Sequence, residues 1–458
     1  MSIKGYRPTT NRMDHATATT PQPNQRIAAH SWWHRARTSF FWMVIIALIL
    51  RLGVIFVTHT YKFKTVDDNF SFGYEMGRIG RSLASGQGFA NPFNETTGPT
   101  AWEPPLYPFL IASVFKLFGI YTRSSALALL MLNSIFSALI CIPIFFIARR
   151  CFNENVAVWA SWFWALLPSG FATRWVWETS LAALLLAIIF WLTLELEGGD
   201  GLRSWLEFGF LWGGAALTNP SMLAFLPASG LWAWYRRAKS GKRSVGGIAL
   251  ASIIFFACIT PWLIRNYRTF GQFVFLRSNF GAELRIGNGP GANGTWREYL
   301  HPTQNVYEMR RYRQLGEIAY AAERRREAIA FIREDYLRFA GLCTKRFIYY
   351  WAGRPRPAQI SALPPIENLV FLASSVLALW GLARALRKHR PGAWLFFWLI
   401  LCYPLVYYVT FPHARYRHPI EPELTILIVY VISQAERKGI GLRKFHPELN
   451  RSATPLNP

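Results

Sequence analysis

Residues 67–110 read DDNFSFGYEMGRIGRSLASGQGFANPFNETTGPTAWEPPLYPFL, directly after an apolar run, Phe40 to Thr58, long enough to cross a bilayer. Acids, bases, glycines and prolines therefore gather at a membrane surface. Between Asp68 and Leu83 the apolar residues Phe72, Met76, Ile79 and Leu83 recur at four- and three-residue steps, and Asp68, Ser71, Glu75, Arg78 and Ser82 form a second stripe. This spacing predicts an amphipathic helix in the headgroup plane, apolar side down, with Glu75 and Arg78 held toward water. Gly86 and Gly88 are expected to stop it. Pro104, Pro105 and Pro108 then open a second apolar run, Leu106 to Gly119, which is short for a span and reads as interfacial or re-entrant. The plainer alternative is a solvated loop in which Glu75 and Arg78 make a weak helix pair.

The rest of the chain supports the membrane reading. It has 458 residues, 52% of them hydrophobic, with 20 Trp, 35 Phe and 19 Tyr, which is too apolar and aromatic for an ordinary soluble enzyme. A formal charge of +25 raises the question of nucleic acid. Distribution answers it: the bases sit in short clusters between apolar runs, as in membrane proteins, so no nucleic-acid partner is expected. Cys141, Cys258 and Cys402 fall within apolar runs and Cys151 and Cys343 are isolated, which gives neither a disulfide framework nor metal-ligand spacing. The first residues are polar and rich in Thr, Pro and Asn, so the first apolar run is expected to stay as a signal anchor.

The runs that reach or approach spanning length are Phe40 to Thr58, Ser124 to Ala148, Val156 to Phe171, Thr179 to Leu194, Ser204 to Thr218, Ser221 to Tyr235, Gly246 to Ile264, Asn368 to Ala385, Ala393 to Phe411 and His418 to Ser433. Clusters at Arg35/Arg37, Arg149/Arg150, Arg236 to Arg243, Arg384 to Arg390 and Arg437 to Lys444 all fall on one side of a ten-span arrangement. Basic loops favour the cytoplasm, so the opening stretch belongs outside, and Leu106 to Gly119 must not cross.

The expected organisation is an all-α polytopic membrane protein of about ten spans. A cytoplasmic polar tail, expected to be disordered, covers 1–37; a transmembrane region at 38–264 contains a first outer loop at 60–121; an outer domain occupies 265–366; C-terminal spans fill 367–436, and a second cytoplasmic tail 437–458. Both termini are thus cytoplasmic and the loops of interest outer, in a cytoplasmic (inner) membrane; the absence of retention signals and paired cysteines favours a bacterial one. Within the insert, SNFGAELRIGNGPGANGTW from Ser278 reads as a loop that lets backbone approach a ligand, Val306 to about Ala340 as solvated helix, and Phe339 to Trp351 as the return to the headgroups.

Several ionisable residues exceed what topology needs. His413, Arg415, Arg417 and His418, in TFPHARYRHPIEPEL, form a cationic patch suited to a phosphate, unless they merely snorkel. Arg51 lies inside the first span, so a partner or phosphate should be near. Glu178 opens the fourth span, where the helix dipole alone already favours a carboxylate. No nucleotide-binding glycine motif and no Cys/His metal set is present. A phosphate-linked sugar on a lipid meets these demands: an apolar groove takes the tail, Arg or His the phosphate, and one carboxylate serves as general base on an acceptor hydroxyl, with inversion from a single displacement.

The acidic first loop, LASG at Leu83 to Gly86, PPLYPFL from Pro104, Trp177-Glu178-Thr179, the insert after the seventh span and Arg415-Tyr416-Arg417 together resemble the GT-C class of integral membrane glycosyltransferases. That class includes the dolichyl-phosphate-mannose protein mannosyltransferases and the bacterial aminoarabinose transferases. The resemblance implies a polyprenyl-phosphate-sugar-dependent enzyme with its catalytic carboxylate in the first outer loop. Asp67, Asp68 and Glu75 all qualify; Glu75 is preferred, with Asp68 next. It further implies donor-phosphate contacts from Arg415 and Arg417, with His413, Arg78 and Arg51 as further candidates. The sugar or acceptor pocket is expected from Trp102, Tyr107, Trp177, Glu178, Asn279, Glu283, Asn288 and Tyr416. No cofactor is required; a divalent metal, which some members bind, has Glu75 and Glu178 available to share it. Rival readings are a lipid or glycan transporter or flippase, and a ligase or polymerase of lipid-linked glycans. The sugar and the acceptor, whether protein, lipid or polysaccharide, are not specified by the sequence.

Overall fold

The computed structural model describes residues 38–63, 70–198, 201–354 and 366–439, so Asp67 and Asp68 lie outside the described residues. The described chain is helical, with one isolated β-bridge between Ala90 and Pro99. In chain order the main helices are α1 (Phe40–Thr58), α2 (Glu75–Ala84), α3 (Leu106–Phe118), α4 (Arg123–Leu139), α5 (Cys141–Cys151), α6 (Glu154–Leu166), α7 (Thr179–Glu195), α8 (Leu202–Thr218), α9 (Leu226–Lys239) and α10 (Val245–Phe270). The insert supplies α11 (Phe280–Gly287), α12 (Val306–Leu315), α13 (Glu317–Glu334) and α14 (Tyr336–Ala352), and the chain continues through α15 (Ile366–Arg387), α16 (Ala393–Cys402), α17 (Leu405–Val409) and α18 (Glu421–Gly439).

Each expected apolar run is helical, and among the described residues four helices are long and apolar enough to cross a membrane: Phe40–Thr58, Arg123–Cys151, Val245–Phe270 and Ile366–Arg387. Their outward faces carry large apolar side chains such as Ile49, Val57, Ile253 and Val370, all more than half exposed, as a hydrocarbon solvent permits. The chain is a multi-pass membrane protein. Inside, α1 packs on α4 and α6, α8 on α10, and α15 on α18. Arg51, buried on α1, donates to the carbonyls of Ala47, Trp164 and Ala165 and to Ser137 Oγ at 2.9–3.1 Å. It therefore closes the carbonyl-rich C-terminal end of α6 rather than meeting a phosphate.

The opening stretch departs from its expected form. The helix begins at Glu75, not Asp68, because Gly73 and Tyr74 take φ of +89° and +53°, and it ends at Ala84 ahead of Gly86. Its apolar stripe packs on α3 as the periodicity implies. The polar stripe is not in water: Glu75 is 8% exposed, Arg78 1% and Ser82 1%. The insert covers it. Two further boundaries move: α10 runs on to Phe270, which puts Arg265 on the helix, and part of the glycine-rich stretch forms α11.

Candidate active site

Close backbone approaches bring four distant segments together. Val176 N donates to Ser71 O at 2.9 Å, and a Cβ on Gly73 would lie 2.5 Å from Val176 O, so this crossing needs glycine both for its space and for its positive φ. That contact sets Trp177 and Glu178 beside the start of α2. Arg265 donates to the carbonyls of Phe89 and Thr100, and Ser278 N to Ala101 O, which fixes the far end of the first loop against the insert. Buried Glu317 reinforces this junction by accepting from Ala101 N at 2.6 Å, Ser278 Oγ at 2.7 Å, Tyr312 Oη at 2.8 Å and Thr100 Oγ1. The last segment is held by Arg346 of α14, fully buried, which donates to Gly287 O, Asn288 Oδ1, Tyr408 O and Val409 O.

In the resulting pit Glu75, Glu103, Glu178 and Glu283 meet Arg277, Arg415, Arg78 and His301, all within electrostatic reach of one another's neighbours. His301 Nε2 is 2.9 Å from Glu75 Oε1, while His301 Nδ1 accepts from Thr303 N at 3.3 Å. Arg277 donates to Glu103 at 3.0 Å, and Asn279 to Glu283 at 3.2 Å. The Arg415 guanidinium lies 3.7 Å over the Trp177 ring and donates to Tyr416 Oη at 3.3 Å; its Nε and one terminal nitrogen have no protein acceptor. Glu178 Oε2 is likewise buried without a partner.

These surroundings divide the carboxylates. Desolvation pushes Glu75 up, but contact with His301, its charge and that of Arg78 outweigh it, so Glu75 titrates below the ordinary carboxylate value. Desolvation wins at the other three: Glu103 is pushed up to about 8 despite Arg277, and Glu178 and Glu283 are raised despite Arg415 and Arg277. Of the four, Glu75 is the one whose ionised form its surroundings favour. Arg415 is held charged, the carboxylates and Tyr416 overcoming the cost of burial.

Not every expected residue joins the pit. Arg417 donates to Ser374, Ser375 and Phe371 O and lies 3.7 Å over the Phe371 ring, so its fork is spent on α15. Burial and the charges of Arg415 and Arg354 push His413 down to about 3, which leaves it neutral, and its Nδ1 accepts from Arg415 N. Those two corrections reduce the expected cationic patch to Arg415; His418 instead pairs with Glu421 at 2.9 Å. Tyr107 donates to Asn133 in the core, Trp102 is buried among Phe93, Tyr312 and Tyr320, and Asn288 serves the Arg346 junction. Trp177, Glu178, Asn279, Glu283 and Tyr416 do line or adjoin the site. Sequence reading missed His301, Glu103 and Arg277. Glu103, within the quoted opening stretch, is an acid directly before a proline pair; His301 and Arg277 carry no periodic or motif signal. Among the described residues no group of three His, Cys, Asp or Glu side chains is arranged to hold a metal ion.

Residues 102–264 match the family model described as dolichyl-phosphate-mannose-protein mannosyltransferase. No curated protein is significantly similar. Among solved structures, the apo oligosaccharyltransferase of Archaeoglobus fulgidus aligns with a TM-score of 0.51 at 12% identity, over 89% of this chain and 51% of that one. The same archaeal enzyme, AglB, in complex with an inhibitory peptide and a dolichol-phosphate, aligns with a TM-score of 0.50 at 13% identity, over 87% and 50%. The chain has the GT-C fold. ArnT from Cupriavidus metallidurans bound to undecaprenyl phosphate aligns at 13% identity over 88% of this chain and 81% of that one, with a TM-score of 0.38. This GT-C chain spans about half the length of the oligosaccharyltransferase it matches. Its resemblance to the class, inferred from the first loop, the Trp-Glu-Thr segment and the final basic loop, is thereby borne out.

Proposed function

We propose that the protein is an inverting glycosyltransferase that moves a sugar from a polyprenyl-phosphate donor to an acceptor hydroxyl on the non-cytoplasmic face of the inner membrane. The observation that carries this reading is the meeting of an ionised first-loop carboxylate, Glu75, with the unspent guanidinium of Arg415 in one buried pit. Glu75 takes the proton of the acceptor hydroxyl as its oxygen attacks the anomeric carbon. The bond from that carbon to the phosphate oxygen breaks, and its electron pair leaves on polyprenyl phosphate. Arg415, backed by Trp177, receives the growing phosphate charge through a planar fork suited to it. The carboxyls of Glu103, Glu178 and Glu283, each shifted by burial toward its protonated form, are placed to hydrogen-bond sugar hydroxyls.

An apolar groove of about 580 Å³ beside α2, lined by Leu83, Phe89, Phe109, Leu217, Cys258 and Trp262, suits an isoprenoid tail. The assignment makes 265–366 an outer domain that roofs the site and leaves both termini cytoplasmic. No organic cofactor is needed, because the donor brings its own leaving group, and the acceptor class stays open.

The test incubates the purified, lipid-embedded protein with radiolabelled polyprenyl-phosphate sugar and a panel of peptide, lipid and glycan acceptors. Transfer that is lost in Glu75→Gln is expected. Unchanged donor with every acceptor would favour transport, and full activity in Glu75→Gln would move the base to Asp67 or Asp68.

A further inference from the structure

A second cavity, of about 860 Å³, opens between α9, α16 and the turn that joins α15 to α16. It lies far from the carboxylates. The C-terminal end of α9 leads by a short turn into α10, which rises about 30 Å from Val245 before Arg265 is reached. The cavity walls are Leu231, Trp232, Trp394 and Trp398, and its rim carries Arg236, Lys239, His389 and Arg390. Leu231 is 63% exposed and Trp394 58%, so one wall faces the surrounding lipid rather than another helix. None of the lining residues is acidic. Arg236 is held by Glu197, but its buried Nε has no partner; neither has the Nε of Arg390, whose guanidinium sits 5.9 Å over the Tyr430 ring.

Cations standing above aromatic and aliphatic walls, at the level where helices end, match a ligand with an anionic head and hydrocarbon chains. We propose that this cavity seats one anionic phospholipid, with its phosphate among Lys239, His389, Arg390 and Arg236 and its upper acyl chains against Trp232, Trp394 and Trp398. A polyprenyl phosphate offers similar chemistry, but at this end of the bundle no carboxylate lines the cavity to act on a bound sugar. The phospholipid is therefore a structural ligand that fixes α9 against α16.

The full chain, embedded in nanodiscs and released for native mass spectrometry, tests this. Phosphatidylglycerol is expected to stay bound after release, and phosphatidylcholine is not. The double variant Lys239→Glu/His389→Glu alters two solvent-exposed side chains and is expected to lower the retained phosphatidylglycerol by about tenfold or more. Arg310→Glu, on the exposed face of α12, leaves it unchanged. Equal retention of both lipids, or full retention in the double variant, overturns the proposal. So does preferential retention of undecaprenyl phosphate when it is mixed with phosphatidylglycerol. The wild-type lipid comparison decides independently of how any variant folds.

Discussion

Glu75 and Glu103 lie in the same pit, yet they respond differently to burial because one has His301 and Arg78 beside it and the other faces three carboxyls with Arg277 as its main relief. Replacing Glu75 by Gln removes the ionised group, and transfer is expected to fall by about a hundredfold or more with the protein still folded. His301 works through Glu75. A depressed carboxyl is in its basic form above its own titration point, and activity is lost as pH falls through that point. With His301→Gln, two lowering influences vanish while desolvation stays, so the acid limb of the pH–rate profile moves to higher pH; an unmoved limb would deny His301 this role. Glu103 has the opposite sign. Its folded value of about 8 lies above the ordinary 4.5, so its contribution to stability is complete below the ordinary value and is lost as pH rises through about 8. Glu103→Gln, already neutral, should flatten the melting temperature between those limits and cost little activity. A variant that keeps the wild-type slope would show Glu103 to be ionised.

At the scale of elements, the reading of helices succeeded where one physical signal dominates. Apolar runs such as Phe40–Thr58 and Ile366–Arg387 are helical because a chain in hydrocarbon must satisfy its own backbone. Where two faces compete, the sequence was ambiguous: the stripes of α2 are real, but periodicity cannot say whether a polar face meets water or a covering domain. Nor does it reveal that the helix starts late. That start depends on Gly73, whose conformation and contact with Val176 are set by a segment about a hundred residues away. Gly73→Ala must adopt positive φ and push Val176 aside, at a cost of about 2 kcal/mol or more. The expected result is a lower melting temperature together with weaker transfer, since Glu75 and Glu178 lose their register. A variant with wild-type melting and activity would mean that the crossing is not needed.

For the whole molecule, the site is an assembly problem. Glu75 and Glu103 come from the first loop, Glu178 from the start of α7, Glu283 and His301 from the insert, and Arg415 from the segment before α18. The fold class was legible, and of the candidate site Glu75 stood out on the polar stripe of its helix and Arg415 in a loop with more charge than topology needs. Arg51 and Arg417 are equally costly and were read toward a phosphate, and the neutral Asn288 toward the sugar or acceptor pocket, yet all three serve as internal clamps, a distinction visible only in their partners. Arg346 is the clamp that joins the insert to the Arg415 segment, with four acceptors from Gly287, Asn288, Tyr408 and Val409 on one buried guanidinium. Arg346→Gln leaves most of those acceptors unpaired, which should destabilise the protein by about 3 kcal/mol. Because Glu75, the proposed base, and His301 lie elsewhere, the loosened Arg415 should weaken donor binding more than it slows the chemical step. Steady-state kinetics would then give a raised donor KM with a smaller change in kcat. A fall in kcat alone, at constant KM, would mean that the clamp positions the base and not the phosphate.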